Sequence, residues 1–153
     1  MGLDEERHAK RARLRALWQA HLGGDPATMA RFDAVVAGYD EPHRRSHDLD
    51  HLLIVVETIV ELAGTEPVAD LPAVVAAGFY HDVIYEPLAN DNEARSADRA
   101  EAELSAAGLG AAVLQHLLEH ERQFATRTGQ RRWDSAARDN LARELAELDP
   151  PPA

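Results

Sequence analysis

The segment HDLDHLLIVVETIVELA, residues 47–63, constrains the fold more than any other part of the chain. At about 100° per residue, Leu49, Leu52, Leu53, Val56, Ile59 and Val60 form a broad apolar stripe. Asp50, Glu57 and Glu61 fall on a separate strip, expected to face solvent. Ile54, Thr58 and Leu62 share the remaining side with His47 and His51, which are four apart and so lie on one face of a helix. A helix that is apolar over most of its circumference belongs in the middle of a packed structure. No stretch of the chain alternates as a half-buried strand would. The expected class is all-α.

The neighbouring segments read the same way. A first helix is expected over about residues 3–22, with Leu14, Leu17, Trp18 and Leu22 on one side. A second begins near Pro26, a residue suited to a first turn, and runs to about Tyr39 with Phe32, Val35 and Val36. After the loop DEPHRRS comes the central helix, which stops at Gly64. A fourth helix is expected over about 72–85 and a fifth over about 91–107, with Asn90 as its cap and Glu93 closing a capping box. A sixth covers about 110–124 and a seventh about 133–148, and the tail DPPPA cannot continue a helix. With no repeat and no clear linker, the expectation is one domain over 1–153, its core at about 26–107 and C-terminal helices at about 110–148.

Composition narrows the function. A length of 153 residues suits a single core, and 45% hydrophobic with 28% charged residues suits a globular chain. The net charge of -11 argues against a nucleic-acid polymer as partner. A small phosphorylated molecule stays open, because a bound metal reverses the local field. The absence of cysteine excludes disulfides, thiolate zinc sites and a thiol nucleophile. The N-terminal stretch is charged and helical rather than a signal peptide, and no run is long enough to span a bilayer. A cytoplasmic protein without a membrane partner is expected.

The chemistry-bearing stretch is GFYHDVIYEP, residues 78–87. The nearly uncharged run Ala73–Tyr80 ends in His81 and Asp82. A buried charge is costly unless paired, so the two form a structural hydrogen bond, an acid–base couple or half of a metal site. With His47 and His51 on an inner face, neutral imidazoles and a carboxylate make a ligand set for zinc, manganese or iron. From spacing alone, polar capping and core hydrogen bonding account for the same residues, and Glu93 reads first as a helix cap. A second pair, His116 and His120 in HLLEH, matches the H-x-x-E-H arrangement of inverzincin metallopeptidases. Asp134, Asp139, Glu144, Glu147 and Asp149 are the acidic residues left to complete such a site, and a solvated helix face accounts for the same letters.

Three segments together, EPHRRSHDLDHLL, GFYHDVIYEPLANDNEARSA and RRWDSAARDNLARELAEL, resemble the bacterial metal-dependent phosphohydrolases of the HD superfamily. The resemblance covers most of the chain. It implies an all-helical HD-domain bundle and hydrolysis of a small phosphoester, a nucleotide among the candidates, by a metal-activated water. It makes His51, His81 and Asp82 the ligands of a divalent metal (Mn, Fe, Zn or Mg) and His47 the acid for the leaving oxygen. Asp82 would bridge the ions if two are bound. Asp91, Asn92 and Glu93, with Arg44 and Arg45, would line or brace the pocket. Ser46 stands where the family usually has Tyr, and Asp48 where it usually has Asn. The family's middle helices, with a D-A-D-L-like motif that supplies a further ligand, are absent, and the junction falls near Leu109 and Gly110. Asp134, Asp139, Glu119 or Glu121 would have to replace that ligand. Alternatively, the chain is a catalytically impaired HD-like interaction or dimerisation module. A second copy covering the exposed surface would make a homodimer.

Overall fold

The computed structural model describes residues 2–105, and these are all-α, with no strand among them. The helices are α1 (Leu3–Leu22), α2 (Pro26–Tyr39), α3 (Leu49–Ala63), α4 (Leu71–Tyr80) and α5 (Asn92–Leu104). No helix among the described residues is long and apolar enough to cross a membrane. The helices expected at about 110–124 and 133–148, and with them His116, His120, Glu119, Glu121, Asp134 and Asp139, lie outside the described residues.

Local chemistry sets most boundaries. Asp25 caps α2, its carboxylate accepting from the backbone N–H groups of Ala27 and Thr28, with Pro26 next in the first turn. Asp70 caps α4 by accepting from the Ala73 N–H at 3.0 Å. α3 starts later than the histidine spacing suggests. The Asp48 carboxylate accepts from the N–H groups of Asp50 and His51, which makes Asp48 the cap and leaves His47 outside the helix. His47 takes a left-handed backbone, φ 48°. The shared-face geometry of His47 and His51 therefore does not hold, although their rings still meet. α5 opens at Asn92 with Asp91 at the cap position and no side-chain cap bond, in place of the expected Asn90–Glu93 box.

α4 ends at Tyr80, five residues short of the expected 85. Continuing it would pair the Asp82 N–H with the Gly78 carbonyl. Instead, the Asp82 N–H donates to the Tyr39 hydroxyl at 3.1 Å, and the Gly78 carbonyl accepts from His81 Nδ1 at 2.7 Å. The same hydroxyl donates to the Phe79 carbonyl at 3.0 Å, the next acceptor in the ladder. One tyrosine from α2 thus satisfies the backbone groups that another turn would have used.

The core unites the helices. Leu52 and Val56 of α3 meet Val75, Ala76 and Phe79 of α4, Val35 and Val36 of α2, and Ala100 of α5 in one buried cluster. This cluster reaches back beyond the expected 26–107 stretch to Leu14 and Trp18 of α1. Trp18 packs edge-on against Phe79, with ring centroids 4.9 Å apart, and against Phe32 at 5.7 Å, a favoured aromatic geometry. The acidic strip of α3 faces the cations of α1 rather than solvent alone. Asp50 pairs with Lys10 at 2.6 Å, and Glu57 pairs with Arg13.

Two glycines allow the close contacts that shape the site. A Cβ on Gly78 would lie 2.6 Å from Ile59 Cδ1, so its absence lets α4 approach α3. A Cβ on Gly38 would lie 2.8 Å from the Val83 carbonyl oxygen, so glycine there lets α2 support the turn after α4 without displacing it.

Candidate metal centre

His47 and Asp82 come from two loops, the α2–α3 connection and the turn after α4, while His51 sits in the first turn of α3 and His81 follows the last residue of α4. Their side chains converge on one oxygen. Asp82 Oδ2 lies 2.8 Å from His47 Nδ1, 2.9 Å from His81 Nε2 and 3.4 Å from His51 Nε2. His51 Nε2 and His81 Nε2 are 2.9 Å apart.

Nitrogen ligands about 2.0–2.1 Å from one ion lie about 2.9–3.4 Å from one another in octahedral or tetrahedral arrangements. The spacings among His51 Nε2, His81 Nε2 and Asp82 Oδ2 match that range, and His47 Nδ1 lies nearer to Asp82, at hydrogen-bond distance. His47, His51 and Asp82 in particular offer ligand atoms within 4.8 Å of one another. The tautomer of His81 also suits coordination. Its Nδ1 faces the Gly78 carbonyl, which only accepts, so Nδ1 carries the proton and a neutral ring turns its Nε2 lone pair to the cluster. A carbonyl partner of this kind usually fixes a metal-binding histidine. Three imidazoles and a carboxylate fit a borderline divalent ion such as zinc, manganese or iron.

Burial alone would raise the Asp82 carboxyl. The opposing effects of His81 and of the neighbouring His47 and His51 outweigh it and hold the carboxyl far below the usual carboxylate range. The surrounding imidazoles thus favour the ionised form of Asp82. The cluster is open on the His51 side, whose side chain is 37% exposed against 18% for Asp82, so a solute can reach it.

The surroundings hold these groups in place. Tyr85 stacks on His47 with centroids 4.8 Å apart, and the His47 and His51 rings meet edge-to-face at 4.9 Å. Tyr39 Oη lies 3.4 Å from His81 Nδ1, besides its bonds to Phe79 and Asp82. Arg44, expected to line or brace the pocket, is enclosed, and its guanidinium donates to the backbone carbonyls of His47, Asp82 and Val83. Arg45 is exposed.

The loop residues expected at the pocket mouth have their contacts elsewhere. Asn92 clasps the backbone of Glu86, accepting from its N–H at 3.0 Å and donating to its carbonyl at 2.9 Å. Asp91 lies 3.9 Å from Arg95, and Glu93 is exposed in the first turn of α5. Asn92 thus braces the loop between Tyr85 and α5. Asp48 caps α3, a task Asn performs equally well.

Sequence reasoning missed Tyr39 and Tyr85. Tyr39 had a visible signal. It continues the apolar face of Phe32, Val35 and Val36, and a buried phenol needs a polar partner. Tyr85 had none, since its role depends on how the turn after α4 folds.

Compared with protein-family models, curated proteins and solved structures, the chain matches none.

Proposed function

We propose that this protein is a metal-dependent phosphohydrolase of the HD type, acting on a small phosphoester. The observation that carries the reading is the convergence of His47, His51 and His81 on Asp82 Oδ2, all within 3.4 Å. In this reading His51, His81 and Asp82 hold a divalent ion. Such an ion lowers the pKa of a nearby water and neutralises phosphoryl charge. It also makes an anionic substrate compatible with a chain of net charge -11.

His47 has a separate task. In this reading it supplies the proton to the leaving oxygen, while its Nδ1 contact with Asp82 at 2.8 Å holds the ring. Stacking on Tyr85 fixes the ring plane along which that transfer runs. Asp82 keeps the imidazole oriented through the 2.8 Å contact of its Oδ2 with His47 Nδ1.

The test is elemental analysis of protein purified without chelator or affinity-tag metal, beside a His81→Ala/Asp82→Ala variant. A stoichiometric transition metal in the parent and none in the variant is expected, with metal-dependent hydrolysis of phosphoesters in the parent alone. No metal in either protein after incubation with manganese, iron and zinc overturns the reading. The helical interaction module would then be the better description.

A further inference from the structure

Arg44 is the buried charged side chain among the described residues, with its side chain 0% exposed. Enclosing a guanidinium is costly unless its donors are used. Here Nε donates to Glu41 at 3.2 Å, Nη1 to the carbonyls of His47 and Asp82, both at 2.8 Å, and Nη2 to the Val83 carbonyl at 3.0 Å. Tyr39 and Tyr85 lie near its faces, their ring centroids 4.9 and 5.4 Å from Cζ.

The acceptors are informative. Three of them are backbone carbonyls on the two loops that bring His47 and Asp82 together. Those two residues are 35 apart in sequence, and their side chains meet at 2.8 Å. One nitrogen of Arg44 therefore pins both backbones at one end of a short bracket whose other end is the His47–Asp82 contact. His47 also holds a left-handed backbone that a non-glycine residue keeps only when its surroundings enforce it.

We propose that Arg44 is the positioning residue of the cluster: its planar fork, not its charge, sets the spacing of His47 and Asp82. This rests on the metal-site reading for its consequence but not for its geometry. A permanent cation cannot itself be a ligand.

Lysine keeps the charge and loses the fork. Arg44→Lys is therefore expected to weaken Mn²⁺ binding on the order of ten- to a hundredfold, as loss of a group supporting metal ligands does, when titrated well below its melting temperature. In the metal-free protein, the ring N–H proton shared by His47 and Asp82 is expected downfield in the NMR spectrum of the parent and absent from that of the variant. Asp70→Ala removes a helix cap at the far end of α4 from His81. It should lower the melting temperature while leaving both readouts as in the parent, which separates positioning from simple loss of stability. If Arg44→Lys does not fold, Arg44→Ala with millimolar guanidinium ion takes its place, and recovery of Mn²⁺ affinity with guanidinium but not methylammonium is expected. Parent-like Mn²⁺ affinity and an intact downfield proton in Arg44→Lys overturn the inference. A parent that binds no Mn²⁺ sinks the metal-site reading, and the NMR signal still decides the role of Arg44.

Discussion

The Tyr39 hydroxyl accepts the Asp82 backbone N–H at 3.1 Å, and this contact ends α4 where His81 and Asp82 begin. Removing it should act on both stability and the site. Tyr39→Phe leaves the Asp82 N–H and the Phe79 carbonyl without their partner, at a cost of about 1–3 kcal/mol. The Asp82 N–H can then return to the Gly78 carbonyl, displacing His81 Nδ1. Denaturant unfolding should show the loss, and Mn²⁺ titration should show weakened binding. Parent-like binding in a variant of reduced stability would mean that the hydroxyl does not place the pair.

His51 and His81 present their Nε2 atoms to each other at 2.9 Å. With lone pairs facing, that distance needs a proton or a cation between them. A divalent ion at about a hundred times its Kd should stabilise the parent by about 2.7 kcal/mol, seen as a rise in Tm. His51→Ala should abolish the rise, and chelator should reverse it in the parent. A rise that survives in His51→Ala would place the ion elsewhere.

Gly38 and Gly78 both lie on helices, and each would gain helix propensity as alanine. Their neighbours differ. A Cβ at Gly78 meets the tip of the Ile59 side chain, which can turn away, so Gly78→Ala should cost less than about 1 kcal/mol. A Cβ at Gly38 meets the backbone oxygen of Val83, which cannot move without shifting the turn that carries Asp82. Gly38→Ala should cost about 1–3 kcal/mol and weaken Mn²⁺ binding. Equal Tm values for the two variants would count against this account.

Tyr80 donates to Glu103 at 2.6 Å, and Arg99 holds the other oxygen of that carboxylate at 2.8 Å, which fastens α4 to α5. Burial first, and then Glu103, raise the phenol well above its ordinary value. The folded protein therefore keeps a proton that the unfolded chain gives up near about pH 10. The stabilisation from Tyr80 is complete below that pH and is lost as pH rises above it. Tyr80→Phe should cost about 1–2 kcal/mol at neutral pH, with the gap between parent and variant narrowing above about pH 10. Tyr39 is also raised, first by burial, but it is present in both proteins, so the difference isolates Tyr80. A gap that stays constant into that range would rule out the proton linkage.

Much of the architecture was legible because it rests on local rules. Periodicity placed Leu52 and Val56 on the inner face of α3, and Pro26 marked the start of α2. Cap chemistry was misread where two polar residues competed. Asp48 rather than His47 opens α3, because its carboxylate reaches the N–H groups of Asp50 and His51. Asn92 spends its amide on Glu86, and Asp91, not Asn90, takes the cap position of α5. Such competition is settled by where the loop runs, which spacing does not encode.

The sequence by itself determined the all-α class and the central place of α3, because helix periodicity is a local property; the family resemblance, not spacing, singles out His51, His81 and Asp82 as candidate ligands. Tertiary structure decided how those ligands meet. Tyr39 stops α4 from 40 residues away in sequence, as the bond from its hydroxyl to Phe79 records. Gly38 lets α2 support the turn, and Arg44 joins the backbones of His47 and Asp82. Each of these is a contact between segments far apart in the chain, and its geometry exists only once the helices have packed.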